Sequence, residues 1–171
     1  MAEEVSGYVY VPFWNELPFT DIHFSVTPEI LHQLYQGVLR HLVNWCQIIL
    51  GTDELDRCIR SLPRAYGVRH FKNGISSLSQ ISGTECKNMG KILLGFLIGS
   101  TMPKKAITAV RAILDFIYLA QYPTHNDNTL GYMTDALNTW HNNNNSFLEI
   151  GVRDDFNIPK FHSLVHYVEM I

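Results

Sequence analysis

Thr27-Pro28-Glu29-Ile30-Leu31-His32-Gln33-Leu34-Tyr35-Gln36-Gly37 opens with three residues that suit a helix start. Thr27 can cap, Pro28 loses nothing at a position whose N–H has no intrahelical partner, and Glu29 lies where the helix dipole favours a negative charge. The spacing predicts a helix from about Pro28 to Leu50, because Leu31, Leu34, Val38, Leu42, Trp45 and Ile49 recur with helical period, and Gly51 is the stop. Leu39, Val43 and Cys46 widen the apolar stripe until few polar positions remain, the pattern of a central helix packed on more than one side. Glu29 and His32, three residues apart, project from one face of it.

Downstream, Thr52 is expected to cap a short helix over Asp53 to Leu62 that Pro63 ends, followed by an irregular basic segment from Arg64 to Ser79. Ser82 with Glu85 reads as a capping box for a helix through Gly99, in which Gly90 and Gly95 allow another backbone to come close. Pro103 starts the next helix, with Ile107, Val110, Ile113, Leu114, Ile117, Tyr118 and Gln121 at helical spacing until Pro123. Leu130, Met133, Leu137 and Trp140 define another, expected to fray into Asn142-Asn143-Asn144-Asn145, since asparagine is poor inside a helix. A last helix is expected from Pro159, still running at Ile171. Upstream, residues 1–26 are aromatic and proline-punctuated, alternating only at Tyr8-Val9-Tyr10-Val11. The expected class is an all-α helical bundle with an extended aromatic N-terminal arm.

A chain of 171 residues that is 46% hydrophobic can bury one sizeable core. Its longest apolar run, Ile92-Leu93-Leu94-Gly95-Phe96-Leu97-Ile98, is far shorter than a bilayer requires, and Met1-Ala2-Glu3-Glu4 is unlike a signal peptide, so a soluble intracellular protein without membrane partners is expected. Cys46, Cys58 and Cys86 are odd in number and widely spaced, which argues against a disulfide framework or a zinc ribbon. The formal charge of -3 hides a segregation. Arg57 to Arg111 holds ten basic residues and one acid, Glu85, for +9, whereas the remainder carries -12. Such asymmetry suits either a polyanion partner or acidic flanks folded against the basic middle.

Two constellations carry candidate chemistry. His162, His166 and Glu169, at i, i+4 and i+7, fall on one helical face and in geometry could share a divalent metal, though a His-x-x-x-His pair without an intervening glutamate is a weak signal. The run from Arg57 to Lys72 interleaves cations with rings, so Arg60, Arg64, Arg69 and Lys72 are candidate phosphate contacts and the rings offer stacking faces for bases. The competing reading is a solvated basic face paired with Glu54, Asp56 or distant carboxylates. Glu29 and His32 likewise fit either a helix-start carboxylate beside an imidazole or a pair that orients a metal ligand or DNA.

Six stretches together resemble transposases of the Plavaka type, relatives of CACTA and fungal KDZ elements. They are Pro12-Phe13-Trp14-Asn15-Glu16-Leu17-Pro18, Thr20-Asp21-Ile22, the Thr27 to Gly37 block, Arg69 to Ile75, Val110 to Tyr122, and Asn157 to Tyr167. The resemblance implies an RNase H-like catalytic domain with three acidic ligands for divalent cations such as Mg2+, interrupted by a helical insertion. It implies that residues 1–26 form an arm or the edge of that core, 27–156 the insertion, and 157–171 the start of a helix returning to the core. The first two catalytic acids would precede Met1 and the third would follow Ile171, so no catalytic or metal-binding residue and no cofactor is assigned to this chain. Glu29 stands where the family's acid-x-x-His block usually has aspartate. The resemblance makes Glu29, His32, His162 and His166 residues flanking an active-site cleft, and the protein a nuclear, DNA-contacting fragment, inactive alone, with the rest of its parent as partner and homo-oligomerisation open. The rival from another class is a free-standing helical interaction module without catalysis. A small metal hydrolase built on His162, His166 and Glu169 ranks third.

Overall fold

The computed structural model describes residues 13–16, 18 and 29–171. The alternating Tyr8–Val11 segment, Thr27 and Pro28 lie outside them. Phe13–Glu16 is a short 3-10 turn. All regular structure among the described residues is helical: α1 (Ile30–Leu39), α2 (Arg40–Leu50), α3 (Thr52–Ser61), α4 (Gly83–Leu97), α5 (Lys104–Leu119), α6 (Asp127–Asn143), α7 (Ser146–Glu149), α8 (Pro159–His162), α9 (Leu164–Tyr167) and a 3-10 turn, Val168–Met170.

The long first helix changes winding part-way. Ile30–Leu39 is a π-helix and α2 continues it as an α-helix. The wider turn brings Leu34, Tyr35, Val38 and Leu39 all into the core. Gly37 lies on this stretch, where an added Cβ would come within 3.1 Å of the Lys160 side chain and 3.0 Å of the His32 carbonyl oxygen. The helix is capped not by Thr27 but by Glu29, whose carboxylate accepts from the amides of Leu31 and His32 at 2.8 Å each. Pro28 therefore precedes the cap. Gly51 does end α2, with φ 79°. Leu42, Trp45 and Cys46 are buried with Leu34 and Val38, so this is the central helix its stripe predicts.

Other ends differ in ways with local causes. Thr52 is the first residue of α3 rather than its cap, and Gly51 occupies the cap position without a side-chain bond. The Ser82–Glu85 box forms as expected, but α4 ends at Leu97 and Gly99 turns beyond it at φ 90°. Gly90 admits Leu39 and Tyr35, whose side chains would lie 3.1 and 3.5 Å from an added Cβ. The asparagine run does not fray. The Asn143 side chain donates back to the Thr139 carbonyl, Asn144 is buried and its amide donates to the Trp140 carbonyl at 2.8 Å, and α7 follows. The final helix is not continuous. Ser163 interrupts it, accepting from the Gln33 side chain and donating to the Lys160 carbonyl, local bonds that compete with helix continuation.

α5 and α6 pair through the short 120–126 connection, and α1 packs against α4, α5 and α8. At the centre, Phe161 stacks on Trp140 at 4.9 Å and on Trp45 at 5.3 Å, with Phe147 and Phe156 at the edges of the same group. Phe161, Leu164 and Tyr167 belong to the same buried cluster as Leu34 and Trp140.

The irregular 62–81 segment is latched by Asp56. Its carboxylate accepts from the amides of Ile75 and Ser76 at 2.8 and 3.1 Å and from the Ser76 hydroxyl. Gly74, at φ 80°, passes so close that an added Cβ would lie 2.1 Å from the Asp56 carboxyl carbon. Asp56→Ala is expected to cost about 2–3 kcal/mol by leaving buried donors unpaired, and Gly74→Ala to destabilise through the same latch, with the double variant less than additive in denaturant unfolding. A second expectation concerns His41, whose ring lies beside those of Trp45 and Phe161 at 6.1 and 6.2 Å. Burial, then the Arg153 and Arg40 charges, hold its pKa below the ordinary value. The neutral ring is thus the folded form, and its contribution is complete above the unfolded pKa of about 6.5 and lost as pH falls through the lower folded value. Melting temperature should fall on acidification over that window, and by less in His41→Phe.

Candidate functional site

The residues expected to flank a cleft gather on α1, α8 and α9. Glu29 grips the first turn of α1 and also meets His32, whose Nδ1 lies 2.5 Å from Oε2. The His32 amide, foremost, holds the Glu29 carboxyl below the usual range; burial opposes it, while the Leu31 amide and the imidazole add to the lowering. Both side chains are exposed. One residue on, Gln33 donates to the Lys160 carbonyl at 2.8 Å and to the Ser163 hydroxyl, which ties α1 to the α8–α9 break across more than a hundred residues of sequence.

With Phe161, Leu164 and Tyr167 directed inward, His162 and His166 face solvent, their rings 5.4 Å apart. A groove of about 510 Å³ is lined by Glu29, Ile30, Tyr122, His125, Tyr167 and Met170, among others, but not by His32, His162 or His166. Glu169 falls in the terminal 3-10 turn. Among the described residues no three His, Cys, Asp or Glu side chains converge to hold a metal ion, so His162, His166 and Glu169 are not brought together on one point.

Seven of the ten basic residues from Arg57 to Arg111 lie on α3, loop 62–81 and α4, whereas Lys104, Lys105 and Arg111 lie on α5. All ten cations from Arg57 to Arg111 are exposed. Arg57 makes a two-point pair with Glu54 at 2.6 and 2.7 Å. Arg69 reaches Glu85 at 2.5 Å, and its guanidinium lies 5.3 Å from the Phe71 ring centre. Glu85, the one acid in the basic segment, thus serves both the α4 capping box and Arg69. Its carboxyl is held low first by the Ser82 amide and hydroxyl, against burial, and then by Arg69. Arg60, Arg64 and Lys72 make no ion pair or side-chain hydrogen bond among the described residues. Lys91 donates to the Gly67 carbonyl at 2.8 Å and Asn88 accepts from the Arg69 amide, so the loop is pinned to α4.

A third concavity was not anticipated from sequence. α5 and α6 enclose a groove of about 560 Å³ lined by Arg111, Asp115, Tyr118, Tyr122, Tyr132 and Asp135. Tyr118 repeats with the apolar positions of α5, yet it is 39% exposed, because it sits at the rim rather than in the core. The signal in the sequence was the i, i+4 pair of Tyr118 and Tyr122.

A family model, that of the Plavaka transposase, matches residues 2–46 of the chain. No curated protein and no solved structure matches it. The matched span takes in Glu29, His32 and Gln33 and stops one residue past Trp45. No helix of the described residues is long and apolar enough to cross a membrane.

If Gln33 is the fastener between the two site segments, Gln33→Ala should cost about 1 kcal/mol, the net worth of such bonds. Amide exchange should quicken selectively from Lys160 to Tyr167. Uniform exchange across the chain would remove the fastener role.

Proposed function

We propose that this chain is a helical module of a Plavaka-type transposase, holding DNA or its parent's core rather than cutting DNA. The observation that carries the reading is the family match over residues 2–46, which includes the acid-x-x-His start of α1. The fixed seam between α1 and α8 supports it, since both segments bear stretches that resemble the family. In this reading Glu29, His32, His162 and His166 border the parent's catalytic cleft. The metal-holding acids and the divalent cations are assigned to the parent, as the resemblance implies. No cleavage step is therefore assigned to this chain.

DNA contact is assigned to the exposed cations of loop 62–81 and its neighbours. Arg60, Arg64 and Lys72 carry it foremost, since their charge is uncommitted among the described residues. Arg69 contributes less, because Glu85 already offsets its charge. The alternative, a helical interaction module without DNA, is favoured by the Arg57–Glu54 and Arg69–Glu85 pairs, which use acids to neutralise part of the strip.

Binding of labelled duplex and single-stranded DNA at several salt concentrations decides between them. Affinity should fall steeply with salt, because cations are released from the phosphates. Neutralising Arg60, Arg64 and Lys72 together should flatten the slope by roughly 2 to 3 units in log–log form. A slope unchanged by those substitutions removes the DNA reading and leaves the interaction module. Nicking or joining of DNA with magnesium would overturn the non-catalytic role, and Glu29→Gln should leave the null result unaltered.

A further inference from the structure

Loop 62–81 and the α5–α6 groove are complementary surfaces on one chain. The loop projects Tyr66, fully exposed, on a turn closed by the Val68 amide and the Ala65 carbonyl and eased by Gly67 at φ 70°. Arg64 stands two residues before it, unpaired among the described residues. The projection is rigid at its base. Phe71 is buried, Asn88 holds the Arg69 amide, and Lys91 holds the Gly67 carbonyl.

The groove has the opposite character. Tyr118, Tyr122 and Tyr132 wall it and are 39%, 50% and 60% exposed, a concentration of ring surface open to solvent. Asp115 and Asp135 supply negative charge. Arg111 offsets only Asp115, at 3.5 Å between two exposed side chains, a weak pairing. No ion pair reaches Asp135 among the described residues. A tyrosine walled by tyrosines gains edge-to-face contacts, and a guanidinium beside rings and a carboxylate gains both cation–π and ionic attraction.

We propose that loop 62–81 of one copy seats in the α5–α6 groove of a second copy, Tyr66 among the three tyrosines and Arg64 against Asp135. Tyr66 is fully exposed in its own chain and no residue of loop 62–81 lines the groove, so the contact joins two chains. Polyanions are disfavoured in the groove by its carboxylates, which leaves a cationic, aromatic projection as the fitting occupant, and this chain carries one. The contact is head-to-tail: each copy offers both a projection and a groove. Arg64 is also among the residues assigned to DNA, so a second copy and DNA would compete for the same loop. The contact itself does not rest on that assignment.

Sedimentation velocity of the full chain without DNA tests it. Mass should rise with protein concentration at low salt and fall toward the monomer at high salt, as screening weakens the ionic part. Arg64→Glu and Asp135→Lys should each weaken association about tenfold or more, the usual scale for reversing one partner of an interface charge pair. Tyr66→Ala should do the same without touching a charge. All three positions are exposed, and unchanged helical circular dichroism verifies folding. Mixed at equal amounts, the Arg64→Glu and Asp135→Lys chains still join, because the first keeps an intact groove and the second an intact loop, and differently tagged chains should be captured together. A monomer at every concentration in low salt overturns the proposal. So does association that survives both charge reversals, or reversed chains that do not capture each other.

Discussion

The near-parallel rings of Phe161, Trp45 and Trp140 pack as a triangle with centroids 4.9 to 6.3 Å apart, and that three-ring cluster is the constraint on which the remaining geometry hangs. It joins α2, α6 and α8, elements separated by most of the chain, and Phe147 and Phe156 close its sides. Large rings bury more area per residue than aliphatic side chains and prefer defined offsets, so the stack fixes position as well as supplying burial. With Phe161 seated there, Leu164 and Tyr167 follow inward and His162 and His166 must face out. The exposed imidazole pair is thus a consequence of packing on the other side of the same short helices.

Carboxylates act as fasteners wherever backbone has to leave regular structure. Glu29 holds the first amides of α1, Asp56 holds the amides of loop 62–81, and Glu85 closes the start of α4 while reaching Arg69. In each case an ionised acid accepts from backbone donors that would otherwise lack partners. This use of acids bears on function. Glu29 is occupied as a cap and Glu85 as a counter-ion, so the acids at the edges of both candidate regions are committed to structure. Cations without an ion pair among the described residues include Arg60 on α3, Arg64 and Lys72 on loop 62–81, and Lys87 on α4.

The long helices and some of their ends were legible because they depend on near neighbours. The Ser82–Glu85 box, the Gly51 stop and the Pro159 start are short-range patterns, and each appears in the structure. The π winding of α1, the break at Ser163 and the orderly end of α6 were not legible. Each is imposed by a distant partner or a local competitor: the core packing of Leu34 to Leu39, Gln33 against Ser163, and the side-chain bonds of Asn143. The candidate residues divide the same way. Glu29 and His32 were readable as one face by their spacing. The α5–α6 groove was not, since Tyr118 and Tyr132 meet only through the pairing of two helices.

The sequence by itself determined the all-helical character of the described residues, a central apolar helix, and a basic middle between acidic flanks, because periodicity and charge are properties of neighbours along the chain. Tertiary structure alone decided which acids are spent on caps and pairs, that α1 and the α8–α9 break share a seam, and that three tyrosines line one groove. Those outcomes require residues far apart in sequence to lie within a few ångströms, and local pattern carries no information about such distances.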